Sequence, residues 1–242
     1  MLPSQEDWFD AVDATWPPFA RFPSGIWTLR QGQGAGKRVS AASTVEIAST
    51  SDIGAAEKAM HSLGQTPLFM VREGQRQLDS LLDQKGYKVV DPVTVLAARC
   101  ADLADYRQQS LRVIFSQEPI AILREIWRQG GVDDPRIEVM RRAAPPKTFV
   151  LGRYENQPVA AQFLGCHKTI GMVHAVEVLQ NARRNGVGQK MMQGAAWWAQ
   201  QQGMEWISCL TVCENSPAQA LYRNLGMEVV SRYHYRKPAT PR

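Results

Sequence analysis

The stretch that decides the fold is Val176-Glu177-Val178-Leu179-Gln180-Asn181-Ala182-Arg183-Arg184-Asn185-Gly186-Val187-Gly188. It begins as an apolar run typical of a β-strand and ends in an Arg-x-x-Gly-x-Gly turn. The residues after the turn carry apolar side chains at helical spacing, at Val187, Met191, Ala195 and Trp198. The sequence therefore predicts a strand, a glycine turn and a helix in that order.

A glycine turn that opens a helix is suited to bind an anion. The first N–H groups of a helix have no partner within the helix, and the helix dipole places partial positive charge there. Gly186 and Gly188 have no Cβ, so the backbone can approach a phosphate closely. Arg183 and Arg184 add positive charge beside the turn. We therefore expect a pyrophosphate-binding loop here.

Two common phosphate-binding loops do not match this chain. The dinucleotide fingerprint needs glycines in the order G-x-G-x-x-G, which the turn at 183–188 reverses. The nearest candidate for a P-loop, Gly36-Lys37, is followed by Arg38 where Ser or Thr should bind magnesium. The glycine-rich run 32–36 lies between two strand-like segments and is interpreted as a hairpin loop.

The turn resembles the acyl-CoA loop of the GNAT superfamily of N-acetyltransferases, in which Arg or Gln is followed by x-x-Gly-x and then Gly or Ala. Downstream, the stretch Leu210–Met227 resembles a second motif of that family, L-x-V-x-x-N-x-x-A-x-x-L-Y-x-x-x-G followed by Phe or Met. A predicted helix separates the two motifs, as in the family. The resemblance covers residues 113–242 and implies an α+β GNAT fold, with a mixed central β-sheet flanked by helices.

The resemblance also implies an activity. The protein would be an N-acyltransferase that moves an acetyl group from acetyl-CoA, its acyl donor substrate, to an amine of a small molecule, peptide or protein. The amine would attack directly in a ternary complex, and no metal would be needed. The residues that would contact the donor are Val176, Val178, Arg183, Arg184, Asn185, Gly186, Val187, Gly188, Gln189, Asn215 and Ala218. Asn215 is equally well placed to cap the helix that begins at Ser216-Pro217.

Three residues are candidates for acid–base chemistry. Tyr222 occupies the Leu-Tyr position of the family motif, which implies a general acid for the CoA thiolate; a core tyrosine is the alternative. His174 and Glu177 are candidate bases. On a regular strand their side chains point to opposite faces, so only one would face the cleft unless a bulge intervenes. Either can instead be a hydrogen-bonded residue of the sheet, and some family members use no dedicated base.

The N-terminal half contains a similar segment. Leu81–Val90 matches Leu221–Val230 at a constant offset of 140 residues, with Leu82 in the place of Tyr222. This predicts a tandem of two GNAT-like units, the first of them degenerate, although helix–Gly–strand segments also arise by chance. The predicted division is a degenerate domain at 1–100, a linker at 101–112 and a GNAT acetyltransferase domain at 113–242.

Composition and charge exclude several classes of protein. Hydrophobic residues make up 44% and charged residues 21% of the 242 residues, which is typical of a globular protein. No apolar run reaches about 18 residues, and the N-terminus has no signal-peptide pattern, so we expect a cytoplasmic protein without membrane contact. The net charge of +5 is scattered along the chain, which argues against a nucleic-acid partner. The cysteines show no C-x-x-C spacing, so no metal site is expected.

Several alternatives stay open from the sequence. A non-catalytic acyl-CoA sensor derived from a decayed tandem would carry the same motifs, and a transferase could use a longer acyl or aminoacyl donor.

The tryptophan-rich segment 1–25 is expected to form a short helix and then an irregular arm, lying on its own chain or on a second copy in a homodimer. Strands are predicted at Arg38–Thr44 and at Tyr87–Ala98, where Pro92 suggests an edge or a bulge.

Overall fold

The computed structural model describes residues 1–105 and 111–239. Within these residues the helices are α1 Gln5–Thr15, α2 Thr50–Ser62, α3 Arg76–Gln84, α4 Cys100–Leu103, α5 Ala121–Gln129, α6 Asp134–Arg142, α7 Val187–Gln201 and α8 Ser216–Asn224. The strands are β1 Ala20–Ser24, β2 Trp27–Gln31, β3 Phe69–Arg72, β4 Tyr87–Arg99, β5 Leu111–Ser116, β6 Lys147–Tyr154, β7 Gln157–His167, β8 Ile170–Val178, β9 Trp206–Val212 and β10 Glu228–Pro238. Short 3₁₀ turns occur at Lys37–Val39 and Gln180–Ala182.

The chain forms two compact units that interleave along the sequence. The first unit consists of Met1–Pro17, Val95–Thr211 and Asn215–Val230. The second consists of Pro18–Thr94, Val212–Glu214 and the residues from Ser231 onward. The predicted boundaries at 1–100, 101–112 and 113–242 divide the sequence into halves and stay a prediction. Residues 106–110 of the predicted linker lie outside the described residues.

The sheet of the first unit has the strand order β4-β9-β8-β7-β6-β5. Strands β5 to β8 pair in antiparallel fashion, whereas β8 and β9 are parallel. A parallel pair needs a crossover connection, and α7 supplies it. On the far side of β9, the Ser208 hydroxyl donates a hydrogen bond of 2.9 Å to the carbonyl of Leu96 in β4.

Helices cover both faces of this sheet. On one face, Met192 and Ala195 of α7 and Tyr222 of α8 share a core cluster with Leu164 and Val173 of the strands. On the other face, Trp8 and Val12 of α1 pack against Ile170 and Met172. These contacts follow the alternation of β8, because even-numbered residues up to His174 face α1 and odd-numbered residues face α7. Helix α5 lies on the α1 face, where Trp127 contacts Phe149 at 6.2 Å between ring centroids.

The second unit repeats the element order of the first. The hairpin β1–β2 precedes a short segment in which Ala42 forms a parallel bridge with Phe69 of β3. Helix α2 separates that segment from β3, and α3 follows. This is the order of β6, β7, β8, α7, β9 and α8. Strand β10 flanks β3, whereas β4 flanks β9, so the sheet of each unit takes a strand from the other half of the chain.

Some predictions from local patterns were wrong. The segment Arg38–Thr44 is not a strand but a 3₁₀ turn followed by isolated bridges, and the arm within 1–25 contains strand β1. Pro92 does not mark an edge, because β4 lies between two neighbouring strands. Asp91 before it has φ of +45°, so the chain leaves regular strand geometry there.

Among the described helices, none is long and apolar enough to span a bilayer.

Candidate active site

Strands β8 and β9 separate at the centre of the first unit. Their parallel pairing runs from Ile170–Trp206 to Val173–Cys209, but β8 continues to Val178. Beyond Val173, β8 keeps its antiparallel pairing with β7, up to Val178 opposite Ala160. The edge of β8 that faces β9 therefore presents backbone groups along residues 174–178. An extended ligand can pair with such an edge in the way that an added strand does.

The predicted donor residues on β8 point away from this edge. Val176 packs against the core cluster that contains Tyr222, and Val178 packs against the cluster of Val187 and Met191. Their side chains therefore stabilise the strand, while their backbone groups are the part that a ligand would meet.

The turn before α7 has the geometry of an anion site. Gly186 is the N-cap residue, with φ of +73°, and among the described residues no side chain caps the helix. The first turn of α7 carries no acidic residue, so no carboxylate of the helix competes for the N–H groups of Val187, Gly188 and Gln189. Arg184 is exposed and has φ of +65°. This arrangement fits a pyrophosphate, because dipole, N–H groups and side-chain charge all favour an anion.

The two arginines of the turn differ in their partners. Arg183 donates from Nε to the carbonyl of Val178 at 2.9 Å, and its terminal nitrogen lies 3.1 Å from Glu177 Oε1. It therefore ties the turn to the end of β8. Arg184 is exposed as well, and it forms no ion pair within the described part of the chain. Asn185 and Gly186 are exposed within the same turn.

Gly188 lies where the start of α7 packs against α8. A Cβ at this position would lie 3.0 Å from Leu221 Cδ2, next to Tyr222 in sequence. The turn, α8 and the tyrosine are thus neighbours in the first unit. A side chain here would crowd Leu221, whereas at Gly186 glycine suits the positive φ.

Tyr222 lies at the point where β8 and β9 separate. Its side chain is 5% exposed, and its hydroxyl is hydrogen-bonded to the thiol of Cys209, the last residue of β9 that pairs with β8. Burial, together with the neighbouring Cys209, raises the pKa of Tyr222 well above its usual value. Burial likewise raises the pKa of the Cys209 thiol. Both groups are therefore neutral at physiological pH, and the phenol keeps a proton to donate.

His174 lies on the opposite face of the sheet. Its ring packs between those of Trp16 and Phe163, with ring centroids 4.9 Å and 6.1 Å away, and the residue is 4% exposed. Thr15 Oγ1 donates to the carbonyl of Ala11 at 2.6 Å and lies 2.8 Å from His174 Nε2. Since the hydroxyl has one proton, the imidazole donates to it through Nε2–H. The structure does not bring His174 and Tyr222 together.

A bulge in β8 follows directly after His174. His174 pairs with Phe163 and Glu177 with Ala161, so three steps on β8 match two steps on β7. Ala175 has φ of +50°, and its carbonyl accepts a hydrogen bond of 2.8 Å from Trp127 Nε1. The extra residue moves Glu177 to the same face as His174. His174 and Glu177 therefore lie on one face of the sheet, which the alternation of a regular strand would not allow.

Glu177 differs from His174 in its surroundings. Its side chain is 17% exposed and forms an ion pair with Arg183. It lies against the end of α5, because a Cβ added to Gly130 would collide with the carboxylate. Glu177 thus sits beside the split strands with access to solvent, whereas His174 is enclosed.

A model of the family described as "Acetyltransferase (GNAT) family" matches residues 109–227. That range contains β5 to β9, both glycine-turn residues and Tyr222. The chain carries a GNAT-family acetyltransferase domain. It is accordingly a transferase.

Relatives extend the likeness beyond this GNAT domain. A protein of Bacillus subtilis (strain 168), named as the uncharacterized N-acetyltransferase YobR, is 26% identical over 235 residues, which are 92% of this chain and 94% of the relative. The structure of a GCN5-related N-acetyltransferase from Kribbella flavida superposes with a TM-score of 0.72 at 17% identity, over 98% of this chain and 94% of that one. A tandem GNAT protein from the clavulanic acid biosynthesis pathway gives 0.65 at 11% identity, over 96% and 87%. The fold is therefore a GNAT fold.

In the GNAT domain, Asn215 caps a helix, which is the structural role that the sequence also allowed for it. It is the N-cap residue of α8, and its Oδ1 accepts a hydrogen bond of 3.2 Å from the N–H of Ala218. Ala218 itself packs partly buried against the core around Tyr222. Sequence reasoning missed Trp127, which holds the bulge. Its place in the apolar stripe of α5 indicated packing alone.

Proposed function

We propose that the protein is an N-acyltransferase that transfers the acetyl group of acetyl-CoA to an amine by direct attack in a ternary complex. One observation carries the proposal. The split between β8 and β9, the uncapped start of α7 and the protonated Tyr222 lie together in the first unit.

The donor would bind in two parts. Its pyrophosphate would accept hydrogen bonds from the N–H groups at Val187, Gly188 and Gln189, with Arg184 adding charge. Its pantetheine arm would pair with the edge of β8 at 174–178. Arg183 would act indirectly, by holding the turn against the end of β8.

The chemistry needs two proton transfers. The lone pair of the neutral amine attacks the thioester carbonyl carbon, the carbon–sulfur bond breaks, and its electron pair stays on sulfur. Tyr222 donates its phenolic proton to this thiolate, and the amine loses a proton to Glu177, directly or through water. The products are the amide and CoA with a free thiol. Proton exchange with solvent restores both side chains.

Geometry favours Glu177 over His174 as the base. Glu177 reaches solvent beside the split, whereas His174 is enclosed by aromatic rings and donates through Nε2 to Thr15. We therefore assign His174 to holding α1 against the sheet.

Direct attack is favoured over an acyl-cysteine route. Cys209 is the cysteine beside Tyr222, and its buried thiol has a raised pKa, so the nucleophilic thiolate is disfavoured. Among the described residues, no group of three His, Cys, Asp or Glu side chains is arranged to hold a metal ion. In the proposed mechanism the amine is activated by Glu177 or arrives neutral.

Turnover tests the proposal. The purified protein is incubated with acetyl-CoA and a panel of primary amines, including polyamines, amino sugars, amino acids and N-terminal peptides, and free CoA thiol is measured. Thiol release that depends on both the amine and Tyr222 supports an enzyme. Tight acetyl-CoA binding without turnover on any amine would favour the acyl-CoA sensor.

A further inference from the structure

In the second unit, hydrogen bonds of the chain itself occupy the place that corresponds to the CoA site of the first unit. In the first unit, the site lies where β9 ends and α8 begins. The corresponding place in the second unit is between β3 and α3. There, Gln75 Oε1 accepts from the N–H of Arg72 at 2.8 Å and Gln75 Nε2 donates to the carbonyl of Thr44 at 2.7 Å. This amide bridges the two segments that would have to separate.

The helix start of the second unit is closed as well. Helix α2 corresponds to α7, but Ser49 and Asp52 form a capping box at its N-terminus. The hydroxyl of Ser49 accepts from the N–H of Asp52, and the carboxylate of Asp52 accepts from the N–H of Ser49. A carboxylate of the chain thus occupies the position that α7 leaves to a phosphate.

A different cavity opens in the same unit, at the end of β3. It has a volume of about 260 Å³, which lies below the usual range for drug-sized ligands and is far too small for CoA. Its wall includes apolar side chains of β3 and β4, namely Val71, Pro92 and Val93. A short hydrocarbon chain can be buried against such a wall.

The polar side of the cavity has an excess of positive charge. Three arginines line it, at Arg72, Arg76 and Arg232, together with the carboxylates of Glu73 and Asp79. Both carboxylates already have cationic or imidazole partners. Glu73 pairs with Arg232 at 3.3 Å, and Asp79 Oδ1 lies 2.8 Å from both His234 Nε2 and Arg236 Nε.

Neither of these carboxylates forms an ion pair with Arg76. This arginine is the first residue of α3, its side chain is exposed, and it has no ion pair within the described part of the chain. A planar guanidinium that lines a small, partly apolar cavity and is exposed to solvent is suited to bind a carboxylate in bidentate fashion.

We propose that this cavity is a second binding site, for a small aliphatic carboxylate. The carboxylate group would bind at Arg76, beside Arg72, and its alkyl chain would lie on Val71 and Val93. The proposal does not depend on the proposed transferase activity.

Cys213 provides a local probe, because it lines the cavity and is exposed. The other cysteines, Cys100, Cys166 and Cys209, are buried. Burial raises the pKa of Cys100 and of Cys166 to about 12, so their thiolates are scarce at neutral pH. Iodoacetamide should therefore modify Cys213 selectively.

The test measures the alkylation rate of Cys213 in the full chain by peptide mass spectrometry, with hexanoate or its neutral isostere hexanamide. At a hexanoate concentration about ten times its dissociation constant, we expect the rate to fall about tenfold. Hexanamide should leave the rate unchanged. In Arg76→Gln the concentration of hexanoate needed for half protection should rise about tenfold, because a charge-assisted contact is lost.

Lys58→Gln is the matched control, since it removes an exposed positive charge of the same unit outside the cavity. Hexanoate should protect Cys213 in Lys58→Gln as well as it does in the wild type. The proposal is overturned if hexanoate does not slow alkylation, if hexanamide protects equally well, or if Lys58→Gln loses as much protection as Arg76→Gln. None of these outcomes depends on acetyl-CoA, so the proposed transferase activity stands or falls separately.

Discussion

The indole of Trp127 holds the carbonyl of Ala175, with 2.8 Å between Nε1 and the oxygen. Trp127 is fully buried, and Ala175 has a positive φ that alanine rarely adopts. The hydrogen bond therefore stabilises the strained residue of the bulge in β8. The bulge in turn places Glu177 on the face covered by α5, so a side chain on α5 positions the candidate base.

Trp127→Phe should lower both stability and turnover. The change removes the hydrogen bond and some ring volume, so we expect a loss of about 1–3 kcal/mol in the free energy of unfolding. If the bulge positions Glu177, kcat should fall more than the KM for acetyl-CoA changes. Trp198→Phe is the control, because this half-buried tryptophan of α7 loses the same ring volume away from the bulge. Equal effects of both variants on kcat would contradict the positioning role.

Tyr222→Phe should separate catalysis from binding. Loss of a general acid lowers kcat by a factor of about 10²–10⁴, whereas the dissociation constant of acetyl-CoA should stay the same. Tyr87→Phe serves as the control, since its hydroxyl donates to Glu57 at 2.8 Å within the second unit. Unchanged kcat in Tyr222→Phe would leave the tyrosine as a core residue.

The two candidate bases should respond differently to substitution. Glu177→Gln keeps an oxygen for Arg183 but cannot take a proton, so kcat should fall about 100-fold with the fold intact. His174→Gln should mainly lower the melting temperature, because it disturbs the contact with Thr15 and the stack on Trp16. The reverse pattern, with kcat lost in a stable His174→Gln, would return the base to His174.

Alkaline pH should destabilise the protein through Tyr222. Its pKa is raised in the folded state by burial, while the unfolded phenol loses its proton near pH about 10. Above that pH the folded state holds more protons than the unfolded state, so the free energy of unfolding falls as pH rises; below it the contribution is fully present. Urea unfolding across this range should show a less steep decline in Tyr222→Phe. An identical decline would mean that the folded phenol ionises normally.

Local signals predicted the parts of the site that depend on local chemistry. Gly186 was expected to end the turn and open α7, and it is the N-cap residue with positive φ. Helix α6 likewise begins where Asp133 caps it, with Pro135 in its first turn. In both cases Gly, Pro or a capping side chain marks the boundary directly in the sequence.

Other parts depend on contacts between distant residues and left no local signal. An alanine gives no sign of positive φ, so the bulge at Ala175 could not be predicted, and with it the common face of His174 and Glu177. The exchange that puts β4 beside β9 and β10 beside β3 is set by pairing, which the pattern of a single strand does not encode.

The most direct test of the central claim is calorimetric titration of acetyl-CoA into the wild type and into Gln189→Glu. Gln189 is exposed in the first turn of α7, where a carboxylate favours the helix dipole but would repel a pyrophosphate. Gln200→Glu makes the same change on the same helix, near its other end.

The account predicts micromolar binding by the wild type and by Gln200→Glu. In Gln189→Glu it predicts affinity at least about tenfold weaker, since like charges would meet at the helix start, with a melting temperature that is not lower. Loss of binding together with unchanged stability would establish the start of α7 as the pyrophosphate site. Equal binding by wild type and Gln189→Glu, or no binding by a well-folded wild type, would contradict it.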